Sequence, residues 1–139
     1  MSPYNHWQRV GFTCGCFDLL HAGHVLMLKE CKENCDYLIV GLHTDPSYID
    51  GKENPTQSIY ERMVQLKAVK HVNEIIVYDN EEDLCNVLLS IMPDVRFLGE
   101  DYKGIENFTG SEIEGIEIFF NSRRHSYSST ELRSRIRNE

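Results

Sequence analysis

The sequence holds no apolar run of membrane-spanning length, which excludes a helical membrane span. Residues Met1 to Arg9 include Pro3, Asn5, His6 and Gln8 and have no apolar signal core, so secretion is not expected. A C-x-x-C pair is also missing. The five cysteines fall as Cys14-x-Cys16, Cys31-x-x-x-Cys35 and a lone Cys85, which does not fit zinc spacing. Their odd number argues for reduced thiols in a cytoplasmic protein. Positive charge is scarce: 14 Lys and Arg face 22 Asp and Glu, for a net charge of −8. That balance disfavours non-specific nucleic-acid binding, which requires cations to neutralise phosphates. Internal repeats, linkers and low-complexity segments are missing as well, so residues 1–139 read as one domain.

The few cations are unevenly placed. Arg123, Arg124, Arg133, Arg135 and Arg137 crowd one end, which suggests a local anion site rather than a long polyanion groove.

Apolar runs alternate with helical patterns. Val10 to Cys14, Tyr37 to Leu42, Glu74 to Tyr78, Val95 to Leu98 and Ile116 to Phe120 read as strands. Ala22 to Asn34 has helical spacing, with Val25, Leu26, Leu28 and Cys31 on one side. Ser58-Ile59-Tyr60-Glu61 is a capping-box pattern that opens a helix to about Lys70. Glu81 to Ile91 reads as a helix, and Ser128-Ser129-Thr130-Glu131 opens a last one to about Arg137. The predicted fold is α/β, a Rossmann-like doubly wound sandwich with a five-stranded parallel sheet flanked by helices. Ligands of such sheets bind beyond the carboxyl ends of the strands, where strand order reverses. Loops 15–24, 43–57, 99–110 and 121–130 should therefore share one rim.

His21 and His24 stand three apart at a predicted helix start and project to one side. Gly23 between them leaves room for a ligand to approach the backbone. Free N–H groups and the helix dipole favour an anion there. In isolation the pair would be an ordinary helix start. A preceding strand, Gly15 and Asp18 make it a candidate triphosphate site. Nucleotidyl transfer suits these parts. A phosphate oxygen attacks the α-phosphorus of a nucleoside triphosphate, and pyrophosphate leaves. The enzyme needs no strong base; it positions two polyanions and stabilises growing charge.

The segment Gly15-Cys16-Phe17-Asp18-Leu19-Leu20-His21-Ala22-Gly23-His24 resembles the H-x-G-H signature of the cytidylyltransferase-like superfamily. The chain is similar especially to the glycerol-3-phosphate cytidylyltransferases, in Thr44-Asp45, Glu61-Arg62, Val72 to Ile76, Asp94 to Tyr102 and Arg123 to Thr130. The resemblance implies catalytic roles for His21, His24, Lys52 and Arg123. It implies nucleotide contacts from Gly15, Cys16, Phe17, Asp18, His21, Ala22, Gly23, His24, Gly99, Asp101, Tyr102, Arg123, Tyr127, Ser128, Ser129 and Thr130. Arg62, Arg124 and His125 are candidates for the acceptor phosphate. Asp18 reads either as a ligand of Mg²⁺, the expected cofactor, or as an acceptor of backbone N–H groups. Tyr102 packs either on the nucleoside or within its own loop.

Three departures bear on substrate. Ser126 replaces a family glycine, Lys52 is the only lysine of its loop, and Asn80-Glu81-Glu82-Asp83 is acidic where the glycerol-3-phosphate enzymes supply a lysine. Adenylyltransferases that activate heptose phosphate have a similar G-C-F-D-x-L-H-A-G-H segment and a G-D-Y-K stretch like Glu100 to Lys103, but lack an equivalent of Arg123. Arg123 favours CTP. The expected reaction is CMP transfer from CTP to a small phosphorylated alcohol such as glycerol 3-phosphate. The alternatives are adenylyl transfer to a sugar phosphate and a non-catalytic nucleotide-binding module. The resemblance also implies a homodimer, with no nucleic-acid or membrane partner.

Overall fold

The computed structural model describes Tyr4 and residues 7–138. Five strands form one sheet: β1 (Val10–Gly15), β2 (Tyr37–His43), β3 (Glu74–Tyr78), β4 (Val95–Leu98) and β5 (Glu117–Phe120). Their order is β3-β2-β1-β4-β5, and every pairing is parallel. Four helices connect or follow them: α1 (Ala22–Glu33), α2 (Ile59–Lys67), α3 (Glu81–Ile91) and α4 (Ser129–Arg137). The expected architecture holds, and β3, α3 and β4 have the predicted bounds.

The sheet separates two cores. On one face Leu28 and Cys31 of α1 and Leu66 of α2 pack on Leu38, Val40, Leu42, Val95 and Phe97. On the other, Leu84, Leu88 and Ile91 of α3 pack on Val10, Phe12, Ile39 and Tyr78. Strands covered on both faces explain why the strand segments read as nearly continuous apolar runs. The chain extends outward from β1 through β2 to β3, then crosses to β4 on the other side of β1. Strand order therefore reverses between β1 and β4, and a crevice opens at their carboxyl ends.

The helix boundaries show what local chemistry decides. Ser58 caps α2 through its Oγ, which accepts from Glu61 N, while the Glu61 carboxylate accepts from Ser58 N. Helix α2 ends at Lys67, short of the expected Lys70, because the Ala68 N–H turns back to the carbonyls of Gln65 and Leu66. Asn80 caps α3 by accepting from Asp83 N. That helix closes on Met92 in the left-handed conformation, with φ of 42°, without the usual glycine. The predicted loop 43–57 includes a short 3₁₀ turn over Pro46–Tyr48, capped by Asp45.

Candidate active site

The loop from β1 to α1 is held open in an unusual shape. Phe17 and Leu19 both adopt left-handed φ of 52°, a conformation that costs a non-glycine residue about 1–3 kcal/mol. Surrounding contacts enforce it. Phe17 is buried in the core, and Leu19 N donates to Gln57 Oε1 at 2.8 Å. The Asp18 carboxylate accepts from Thr56 N at 2.8 Å, from Gln57 N at 2.9 Å and from an Arg133 N–H at 3.2 Å. Of the two roles open to Asp18, the structure displays the backbone-holding one, with the N–H groups supplied from residues 56–57. Its oxygens are committed to these donors. Among the described residues no group of three or more His, Cys, Asp or Glu could cage a metal ion.

His21 and His24 close the start of α1 on each other. Gly23 N donates to His21 Nδ1 at 3.0 Å, and His21 N donates to His24 Nδ1 at 3.1 Å. This is the reciprocal logic of a capping box with imidazoles in place of serine and glutamate. A backbone N–H can only donate, so each Nδ1 is bare and each neutral ring carries its proton on Nε2. The ring centroids are 3.9 Å apart, and Phe17 lies 5.5 Å from His24. Burial, and then the neighbouring His21, bring the His24 pKa down to about 4. Burial also lowers His21, as do His125 and Arg123. Near neutral pH both histidines are neutral and present Nε2–H donors to the crevice.

Two clefts flank this pair and share His24 and Ser129 as common wall. The larger, about 810 Å³, runs along α1 past His21, Gly23, Leu26 and Met27 to Gly99, Asp101, Arg123, Arg124, His125, Tyr127 and Ser128. The smaller, about 600 Å³, is bounded by Cys16, Phe17, Asp18, Lys52, Thr130, Arg133 and Arg137. Ser128 Oγ caps α4 by accepting from Glu131 N at 3.0 Å, so the first turn of that helix meets both clefts. Four loops thus converge on one rim.

Four sequence candidates lie outside these clefts. Gly15 and Ala22 line neither. Tyr102 meets Phe108 of its own loop edge-on, with ring centroids 6.3 Å apart. Arg62 requires a correction. The expectation at the acceptor phosphate does not hold, because its side chain is only 2% exposed. It donates to the carbonyls of Gln57 at 3.1 Å, Cys16 at 3.0 Å, His43 at 2.6 Å and Thr44 at 2.5 Å. The guanidinium fork ties the loops after β1 and β2 to the N-terminus of α2.

Other contributors have no motif to mark them. Glu30 of α1 accepts from Asn121 Nδ2, from Ser122 N and from the Ser122 hydroxyl. Burial opposes its charge, yet these hydrogen bonds hold it below the usual carboxylate range. They pin the segment after β5 against α1, along the floor of the larger cleft. Arg133, one of the arginines that crowd one end of the sequence, bridges Asp18 and Thr56. The i,i+3 spacing of Thr130 and Arg133 was the signal available for it.

A family model for cytidylyltransferase-like proteins matches residues 12–135. The chain belongs to this family. Among its relatives, bifunctional protein HldE of Caulobacter vibrioides is 36% identical over 133 residues, 92% of this chain and 27% of the relative. HldE of Rhodospirillum rubrum is 32% identical over 136 residues, 94% of this chain and 27% of the relative. The chain thus spans about a quarter of the length of these relatives. The structure of a lipopolysaccharide core biosynthesis protein from Thermoplasma volcanium superposes with a TM-score of 0.69 at 25% identity, covering 87% of this chain and 99% of that one. Pantoate–β-alanine ligase from Francisella tularensis shares the fold, with a TM-score of 0.61 at 18% identity over 99% of this chain and 73% of that one. Among the described residues no helix is long and apolar enough to cross a membrane.

Proposed function

We propose that this member of the nucleotidyltransferase superfamily joins a nucleoside monophosphate to a sugar phosphate, with ATP as donor and a heptose phosphate as acceptor. The observation that carries nucleotidyl transfer is the His21–His24 pair. Its two Nε2–H donors stand at a helix N-terminus, His21 on the larger cleft and His24 on the wall that the two clefts share. An oxygen of the acceptor phosphate attacks the α-phosphorus. The bond from that phosphorus to the α,β-bridging oxygen breaks, and pyrophosphate leaves. Neutral imidazoles donate hydrogen bonds without withdrawing a proton from an already anionic nucleophile, and they strengthen as charge grows on the phosphate oxygens.

The larger cleft, with Leu26, Met27 and Tyr127, suits the nucleoside and its phosphates. The smaller one, with Lys52, Arg133 and Arg137, suits the phosphate of a compact polar acceptor. Mg²⁺ would accompany the triphosphate, held by phosphate oxygens and water rather than by a protein cage.

The choice of ATP and a sugar phosphate rests on the segment Gly15 to His24, which is similar to that of the heptose-phosphate adenylyltransferases. The HldE relatives and the structural likeness to a lipopolysaccharide core biosynthesis protein support it better than glycerol 3-phosphate. The acidic Glu81 to Asp83 at the start of α3 agrees, since the cytidylyltransferases place a lysine there. A second reading, CTP with glycerol 3-phosphate, is favoured by Arg123 on the larger cleft. A grid of ATP and CTP against heptose 1-phosphate and glycerol 3-phosphate, with Mg²⁺ and pyrophosphate readout, separates the two. Turnover restricted to CTP would overturn the adenylyl reading. A cytoplasmic homodimer completes the proposal, and light scattering tests the dimer.

A further inference from the structure

Gly23 is the residue of H-x-G-H whose lack of a side chain leaves space for a ligand. In this chain two imidazole edges fill that space. A Cβ on Gly23 would fall 2.8 Å from His21 Cε1 and 2.9 Å from His125 Cε1. His125 comes from the opposite side of the larger cleft, in the segment before α4. Its ring is stacked on Tyr127, with centroids 5.5 Å apart and planes at 24°. Tyr127 N donates to its Nδ1 at 3.2 Å. That bond leaves Nδ1 bare, so the neutral ring bears its proton on Nε2, as His21 and His24 do. Stacking and hydrogen bond together fix the ring, so little side-chain freedom remains to be lost when a ligand binds.

We propose that His125 is a third imidazole of the phosphate clamp, donating its Nε2–H to the same triphosphate as His21, and that it does not serve the acceptor. The inference rests on the nucleotidyltransferase reading above. Two features favour the nucleotide over the acceptor. His125 lines the larger cleft beside His21 and Arg123. It does not line the smaller cleft, where Lys52, Arg133 and Arg137 stand. The arrangement also gives Gly23 a specific role in this chain, because an alanine there would push apart the two rings that grip one phosphate chain.

The test is calorimetric binding of inorganic tripolyphosphate and of ATP to wild type, His125→Ala and His125→Gln, together with the acceptor KM. Removing one hydrogen bond to a charged phosphate should weaken tripolyphosphate and ATP alike, by about tenfold in the alanine variant. Gln keeps an N–H donor and should recover most of the loss, and the acceptor KM should not move. A loss for ATP with tripolyphosphate unaffected would assign the ring to the nucleoside and overturn the inference. A raised acceptor KM with unaltered nucleotide binding would overturn it in favour of the acceptor. Unaltered binding of both ligands would leave the ring a solvated surface group. Wild type that binds neither ligand would instead sink the nucleotidyltransferase reading itself.

Discussion

Arg62 offers the sharpest separation between a structural and a substrate-binding role. Its guanidinium satisfies carbonyls from three separate segments: Cys16 after β1, His43 and Thr44 at the end of β2, and Gln57 before α2. Arg62→Lys keeps the charge and loses the planar fork. One ammonium cannot reach four acceptors spread across three segments, so at least one buried carbonyl is left unpaired. Each such loss costs about 1–3 kcal/mol. For 139 residues, an unfolding entropy of ~2.1 cal/mol/K per residue gives about 0.3 kcal/mol/K in all. A loss of about 2 kcal/mol then lowers Tm by roughly 7 °C. Arg62→Met orphans all four carbonyls, at least about 4 kcal/mol, which is a large share of the ~5–15 kcal/mol that holds a domain folded. Thermal melts followed by circular dichroism supply the measurement. A lysine variant that melts within a degree of wild type, with a raised acceptor KM, would refute the structural role and restore the phosphate-binding one.

Three further predictions follow from the first motif. His24→Ala should lower kcat far more than it raises KM, because its Nε2–H contributes most as charge builds in the transition state; an unaltered kcat in a pyrophosphate-release assay would sink that role. Acid should destabilise the fold through the same residue. The folded His24 pKa of about 4 lies below its ordinary 6.5. The unfolded chain therefore takes up the proton first, so stability is full above pH 6.5 and falls as pH drops towards 4. That gap, at ~1.4 kcal/mol per pH unit, sets a ceiling of about 3 kcal/mol, and urea melts of His24→Gln should show a shallower decline than wild type. Gly23→Ala should weaken tripolyphosphate binding with little loss of Tm, since the crowding falls on two ring edges rather than on backbone; calorimetry on a folded variant with wild-type affinity would contradict it.

The sheet was legible because β1, β2 and β4 are covered on both faces and so read as unbroken apolar runs. The parallel pairing followed from alternation of strands and helices, and with it the rim on which the site lies; the order β3-β2-β1-β4-β5 did not. The caps Ser58 and Asn80 act on their neighbours three residues away, which is why the start of α2 and the bounds of α3 were within reach. Features that depend on distant partners were not. The carbonyls held by Arg62 lie as far away as Cys16, and Asp18 meets Thr56 and Arg133, so no local pattern distinguishes a buried clasp from a surface arginine. His125 has no motif to announce it, because its partner at Gly23 is a hundred residues upstream. The left-handed turn at Met92 escaped notice because the sequence signal for such a turn is glycine. His21 and His24 serve twice. They are candidates to grip phosphate, and they also cap the helix that aims them.

Nucleotidyl transfer requires that a bond form at the α-phosphorus of a nucleoside triphosphate. The most direct measurement is ³¹P NMR of the protein with Mg²⁺, ATP and heptose 1-phosphate. Coupled resonances of a new diphosphate diester should grow in step with pyrophosphate, and both should be lost in His24→Ala. Release of inorganic phosphate with ADP, or of pyrophosphate with no diester, would contradict it.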